Sequence, residues 1–402
     1  MKGPLKLIVP LAAALGVAAC SAGGSSNVPS VSGIAGLSAA HVPMWAATHS
    51  AFPACAGSRV GQAQCDALIS ADQNVGRIRH NAYPGWSASE LEQAYNLPSS
   101  SKGKGQVVGI VDAYDNPNVV SDFNTYRAGM GLPAATLLKY NQTGQQSNYP
   151  QGNAGWGVEI DLDVDMVSAS CPNCKVILVE GNSNSWSDLG AAEAEAVKLG
   201  ATIVSNSYDG TGGNESNYDT KGIAYLASSG DGGYGLVDPA TFQSVIAVGG
   251  TVLSSAKGKR GYSENVWPDS GGGCSSTSEA KPSWQKDPGC TFRTGSDVGA
   301  VAVAAGEYDS YQENGWIAIN GTSVSSPFVA GVVALAGNST KQTGGENLWK
   351  LSKKKLKKEI YPVLTGSDGS CGGSYLCTAG TKQFGIFSGP TGWGTPNGDK
   401  AL

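Results

Sequence analysis

The stretch Asn320-Gly-Thr-Ser323-Val-Ser-Ser-Pro327-Phe-Val-Ala-Gly-Val-Val-Ala-Leu335 decides how this chain is read. Residues 315–319 ahead of it, Gly-Trp-Ile-Ala-Ile, form an apolar strand that runs into Gly321-Thr-Ser323 and directly into a small-residue apolar helix. A serine at that helix start is expected to aim its backbone N–H outward, toward any negative charge that develops there. Gly321 leaves room for another chain to approach. Pro327 is expected in the first helical turn, where its missing donor costs nothing. A serine at a helix start is often no more than an N-cap; Gly-Thr-Ser followed by Pro at this spacing is much rarer.

Upstream, bounded apolar runs recur at 106–111 (ending in Asp112), 175–179, 201–204, 222–227, 244–248 and 299–304. Strands that are apolar without alternation are buried on both faces, which means a parallel sheet covered by helices. The intervening segments supply those helices; 188–199 is alanine-rich and closed by Gly200. The expected fold class is therefore α/β, a doubly wound, mostly parallel sheet with helices on both faces. The lysines of 350–358, with Leu348, Leu351, Leu356 and Ile360, fit one amphipathic helix with a solvated basic face. No repeat of 20–50 residues interrupts the pattern.

At 402 residues the chain accommodates a core of about 300 residues plus appendages. Charged residues are only 15%, with 32 acids against 27 bases and a net charge of −5. Setting aside Lys2, Lys6 and the six lysines of 350–358 leaves a clearly acidic body, which excludes a nucleic-acid backbone binder. Residues 1–19 read as a secretory signal, with basic Lys2 and Lys6 before an apolar run too short to span a bilayer. It ends Val17-Ala-Ala-Cys20, which resembles a bacterial lipobox, so membrane attachment through a lipidated Cys20 is expected. The protein is then exported, as a cell-envelope lipoprotein or a secreted chain. Nine cysteines is an odd count; without Cys20 the rest form four sequence-near couples, Cys55/Cys65, Cys171/Cys174, Cys274/Cys290 and Cys371/Cys377. Export favours disulfides, and neighbour pairing is the simplest connectivity. Zinc at Cys171-Pro-Asn-Cys174 would lack histidines, since His41, His49 and His80 all lie far upstream.

Chemistry concentrates in Val158-Glu159-Ile-Asp161-Leu-Asp163-Val-Asp165-Met166, four carboxylates in seven residues with no Lys or Arg between Lys139 and Lys175. As a strand this alternation puts all four acids on one face; as a helix it places Glu159 and Asp163 one turn apart. Local pattern leaves both open. Either way neighbouring carboxylates repel, and one of a pair holds its proton more tightly. No histidine occurs from Asn81 to Leu402, so no imidazole lies between these acids and Ser323.

Together, Glu159-x-x-Leu162-Asp163, Ser228-Ser-Gly-Asp231 and Gly321-Thr-Ser323 resemble the sedolisin family of serine-carboxyl peptidases in the subtilisin-like clan. Subsidiary matches are Tyr126-Arg-x-x-x-Gly-Leu-Pro133, Gly271-Gly-Gly273 with Lys281-Pro-Ser-Trp-Gln285, and Pro390-Thr-Gly-Trp-Gly-Thr-Pro396. The resemblance covers residues 92–400. It implies a subtilisin-like peptidase domain at 92–402, preceded by a tether and short leader or prosegment over 20–91. It also implies Ser323 as nucleophile, Glu159 as general base, Asp163 as its support and Asp231 as oxyanion donor, acting on protein or peptide substrates. A glutamate base, with an ordinary pKa of about 4.3, suits acidic pH, and Asp231 can donate a hydrogen bond only when protonated. Two departures stand out. The family's calcium site near the C-terminus uses carboxylates where this chain has Pro362 and Ser388, so no metal or other cofactor is expected. The N-terminal segment is also shorter than the family's long propeptide. A monomer is expected. The competing reading is a catalytically silent surface-binding lipoprotein on a peptidase fold. Asp112 stays open between a site carboxylate and a cap for the loop 112–117.

Overall fold

Along residues 175–179, Val176 and Leu178 face one core while Ile177 and Val179 face another. A strand with a hydrophobic layer on each side cannot afford a polar face, which is why the run is apolar throughout. The computed structural model describes residues 51–72 and 83–402; the signal segment, Cys20, the tether and all three histidines lie outside the described residues.

Three short strands come first: β1 (Ala51–Pro53), β2 (Gln64–Cys65) and β3 (Leu68–Ser70). Helix α1 (Ala88–Ala94) follows, capped reciprocally by Ser87 and Glu90. It begins ahead of residue 92, the expected start of the main domain. Next come β4 (Val107–Ala113), α2 (Val119–Gly129), β5 (Leu137–Asn141), α3 (Ala154–Ser170) and β6 (Lys175–Gly181). Then α4 (Trp186–Lys198) leads to β7 (Ile203–Asn206), β8 (Tyr208–Asp209) and β9 (Ala224–Ser228). Strands β10 (Tyr234–Leu236), β11 (Val245–Ser255), β12 (Tyr262–Val266), β13 (Gly272–Ser275), β14 (Thr294–Gly295) and β15 (Val298–Val301) follow. Last come β16 (Ala305–Asp309), β17 (Gly315–Asn320) and helix α5 (Thr322–Ala336).

The main sheet runs β12-β11-β9-β7-β4-β6-β5, with β15 also on β11. Every pairing is parallel except β11–β12. After the central β4 the chain lays β5 at one edge and inserts β6 between it and β4, then builds outward through β7, β9 and β11 on the other side. The strand order therefore reverses beside β4, and a crevice opens at the carboxyl ends of the strands, where open α/β sheets place their sites. Asp112, Ser207 and the loop after Ser228 all lie at that edge.

Four expectations are refined by the structure. Within the leader expected over 20–91, residues 51–70 carry β1–β3, and β1 and β3 join β17 and β16 in a separate antiparallel sheet. The strand before Ser323 thus belongs to this sheet rather than to the parallel one. Pro327 is not in the first turn: α5 starts at Thr322, so the missing Pro327 N–H frees the Ser323 carbonyl, which lies 3.4 Å from Ser207 Oγ. The lysine run forms two short helices, Glu346–Trp349 and Lys353–Glu359, because Ser352 caps the second and restarts it. All four disulfides pair as sequence neighbours: Cys55–Cys65, Cys171–Cys174, Cys274–Cys290 and Cys371–Cys377.

Helices α3 and α5 pack closely where Gly331 lies against Ser170; a Cβ at Gly331 would overlap Ser170 Oγ. The Ser170 hydroxyl donates to the Met166 carbonyl at 3.1 Å, which satisfies it inside the contact. Gly331→Val should therefore destabilise the fold by about 1–3 kcal/mol through overpacking. A variant melting at the wild-type temperature would show that the two helices do not meet there.

Candidate active site

Helix α3 is buried all round from Trp156 to Ser170, so each of its four acids faces protein rather than water. As a helix it splits the alternating acids into two pairs. Asp161 accepts from Asn116 Nδ2 at 2.8 Å and Asp165 from Tyr308 N at 3.2 Å. Glu159 and Asp163, one turn apart, look the other way.

Ser323, the second residue of α5, is fully buried, and its hydroxyl donates a long 3.5 Å bond to the Ser207 carbonyl. Glu159 Oε2 accepts the backbone N–H of Ala67 at 2.8 Å, while Oε1 has no hydrogen-bond partner. Burial pushes the Glu159 carboxyl well above the usual range and Asp112 adds repulsion; the Ser323 hydroxyl and the Ala67 amide pull the other way. Asp163 is likewise raised, by burial and then by Asp112 and Glu159, against the Ser207 hydroxyl that donates to it at 2.6 Å. Structure thus brings Glu159, Asp163 and Ser323 together.

Asp231 reaches the same place from the loop after β9. Gly321 precedes α5 and has no side chain to cap it, so Asp231 Oδ1 does so from outside, accepting Thr322 N and Thr322 Oγ1 at 2.8 Å each. Its Oδ2 has no partner and lies beside Gly321. Burial raises this carboxyl well above its usual value; the Thr322 bonds oppose the rise, and Asp209 and Asp269 add to it. Gly321 has φ of 130°, which disfavours any side chain, and a Cβ there would strike the Asp66 carbonyl.

Asp112 lies with these three acids as a fourth buried carboxylate. It is buried, neither oxygen has a hydrogen-bond partner, and burial pushes it up to about 8. Its charge acts on both Glu159 and Asp163, and it does not cap the loop 112–117. Its sequence signal was position alone, at the end of the first core strand. Asp66 was missed altogether. Its carboxylate accepts from Ser228 Oγ at 2.8 Å; burial raises it strongly, and Asp209, Asp231 and Glu159 add to the effect.

Two places bear on metals. At the C-terminal positions Pro362 offers no side-chain donor and Ser388 Oγ is hydrogen-bonded to Thr391 Oγ1 at 2.9 Å, so the calcium site implied by resemblance does not fit these residues. Asp368 is buried with both carboxylate oxygens unpartnered, and burial pushes it up to about 8. On the far side of α3, ligand oxygens of Asp122, Asp161 and Asp309 lie within 4.8 Å of one another. Ser310, Asn116 and the backbone N–H groups of residues 311–313 already bond to them.

Residues 103–361 match the model of the subtilase family. The chain is 28% identical over 302 residues to kumamolisin of Bacillus sp. (strain MN-32), covering 64% of this chain and 53% of that protein. It is 23% identical over 363 residues to sedolisin of Pseudomonas sp. (strain 101), covering 77% and 60%. It therefore spans little more than half the length of these curated relatives. In structure it is similar to Pseudomonas sedolisin, a serine-carboxyl proteinase solved in complex with two molecules of pseudo-iodotyrostatin. The TM-score is 0.65 and the identity 24%, over 79% of this chain and 96% of that one.

Protonation is linked to stability through these groups. In the unfolded chain Asp112, Asp209 and Asp368 titrate near about 4; folded, they are pushed up to about 8, 7 and 8. Between those values the folded state holds more protons than the unfolded one, so stability falls as pH rises. The melting temperature should be highest near about pH 4 and drop by several degrees by about pH 8. A melting temperature that is flat or rising over that window would contradict the assignment.

Proposed function

We propose, on the premise that this chain belongs to the subtilase family and is sedolisin-like within it, that it is an exported, acid-active endopeptidase. Ser323 is the nucleophile and Glu159 the general base. The observation that carries this reading is Glu159. Its carboxylate meets Ser323 and accepts a peptide N–H at 2.8 Å, in a chain with no imidazole beyond His80.

A hydroxyl becomes a useful nucleophile when a positioned base takes its proton. Glu159 can take it from Ser323 and pass it to the leaving nitrogen, because its other oxygen already faces an amide N–H. Asp112 and Asp163, both raised by burial, favour holding protons at acidic pH, and of the three acids Glu159 is the one lowered by both the Ser323 hydroxyl and a backbone amide. The tetrahedral oxyanion falls beside Gly321, at the N-terminus of α5 and within reach of a protonated Asp231. No metal takes part. The substrates are proteins or peptides, and the chain acts as a monomer. The four disulfides accord with an oxidising compartment. Among the described residues no helix is long and apolar enough to cross a membrane, so attachment would rest on Cys20. The alternative, a silent surface-binding lipoprotein, requires the same site without turnover.

Ser323→Ala and Glu159→Ala should each abolish casein cleavage at acidic pH while the melting curve keeps its single transition, and wild-type activity should persist in EDTA. Substantial cleavage by pure Ser323→Ala would remove the nucleophile assignment, and an inert wild type would favour the silent alternative.

Asp231→Asn keeps an N–H donor that cannot ionise. The alkaline limb of its pH–rate profile should therefore move upward, since loss of the Asp231 proton no longer ends activity. Asp231→Ala should lose about a hundred- to a thousandfold in turnover. An unmoved alkaline limb in folded Asp231→Asn would leave Asp231 as a helix cap and nothing more.

A further inference from the structure

The helix Lys353–Glu359 reads Lys-Lys-Lys-Leu-Lys-Lys-Glu, and its charges run against helical preference. Lys353, Lys354 and Lys355 stand in the first turn, where the helix dipole disfavours cations. Lys353 with Lys357, and Lys354 with Lys358, are like charges one turn apart, a mildly repulsive spacing. All five lysines are exposed, and among the described residues none has an ion-pair partner. Lys350, just before the helix, does pair, with Glu346 at 2.5 Å. A cluster of uncompensated cations on an otherwise acidic body calls for an anion from outside.

Beside this helix lies an apolar groove of about 700 Å³. Leu356 and Ile360, buried and one turn apart, line it from the helix; Phe384, Ile386 and Trp393 line it from the C-terminal segment. Lys353 and Lys357 share the helix edge that borders it. Trp393 packs on Trp349 at 5.5 Å and on Phe387 at 5.4 Å, so the aromatic wall is held in place and the groove is preformed. Its volume falls in the range that binds small molecules, about 300–1,000 Å³. Leu351 lines both this groove and a neighbouring cavity of about 460 Å³, which carries Lys341, Lys350, Lys355 and Lys400 and no Asp or Glu side chain. Cations thus flank an apolar slot, the complement of a hydrocarbon chain with a negatively charged head.

We propose that this face docks on an anionic lipid surface, one phospholipid placing an acyl chain in the groove and its phosphate between Lys353 and Lys357. Lysine stems lie along apolar surface while their ammonium groups reach the head groups, and tryptophan suits the boundary between the two. One acyl chain alone holds a protein weakly and reversibly; a basic patch beside it supplies the second signal that stable attachment needs. The contact is peripheral and separate from any acyl group on Cys20. It does not rest on the peptidase reading, since a catalytically silent chain would dock in the same way.

The test uses the exported chain with Cys20→Ser, so that no acyl group is attached, behind a cleavable signal. Binding is measured by sedimentation with vesicles of phosphatidylglycerol and phosphatidylcholine, and with vesicles of phosphatidylcholine alone. Binding to the anionic vesicles should be at least tenfold tighter, and Lys353→Gln/Lys357→Gln should weaken it about thirtyfold without moving the melting temperature. Phosphatidylglycerol brominated on its acyl chain should quench a fluorescence component that Trp393→Phe lacks. Equal binding to both kinds of vesicle, or undiminished binding by the double variant, overturns the proposal. Vesicle binding without Trp393-dependent quenching also overturns it, leaving a charged patch and no lipid in the groove. Quenching by a monomeric brominated fatty acid with no vesicle binding would make the groove a pocket for a free fatty acid and remove the lipid surface.

Discussion

The close passage of α3 over α5 is the constraint on which the rest depends. Gly331 against Ser170 lets two buried helices approach without an intervening side chain, and the same packing carries Glu159 to Ser323. Neither residue could be placed by its own element: Glu159 rides on a helix with no exposed face, and Ser323 on a helix that begins one residue earlier. Rigid elements hold reacting groups more tightly than loops can, which is what transfer of a proton between two oxygens demands.

That packing has an electrostatic consequence. Glu159, Asp163, Asp112, Asp231 and Asp66 are buried together, and burial is the first cause of the raised pKa in every one. With no cation among them, protons are the available counter-charges. A site of this composition is at ease in acid and strained at neutral pH, the reverse of one built on imidazole. The second group on α3, Asp161 and Asp165 with Asp309 and Glu307, obeys the same logic on the opposite side of the helix. Arg127 is a charged neighbour that lowers Asp165.

Residues 51–72 add to this dryness. They supply the strand beside β17, the amide on Glu159 and the acid on Ser228, so part of the burial that raises these carboxyls comes from the segment lying in the cleft. Occupancy and protonation are thereby coupled: a cleft opened to water would return its acids toward their ordinary values.

By itself the sequence determined the parallel sheet, since apolar runs without alternation require a core on each face, and it determined the helix 188–199 from its composition and terminal Gly200. It determined the disulfide partners, which are close along the chain. By leaving no histidine after residue 80 it confined the chemistry to carboxylates and hydroxyls. Tertiary structure alone decided that the acids of 159–165 form two pairs on opposite sides of a helix, because alternation is compatible with a strand or a helix until a partner covers it. It alone placed Asp112 against Glu159, seated Pro327 beyond the first turn, broke the lysine run at Ser352, and drew Asp66 and Ala67 across a site built from residues 45 to 257 positions away. Local periodicity reports which face of one element is dry. It carries no information about which distant element dries it, and strands of two or three residues, such as 64–65 and 68–70, have no periodicity to read.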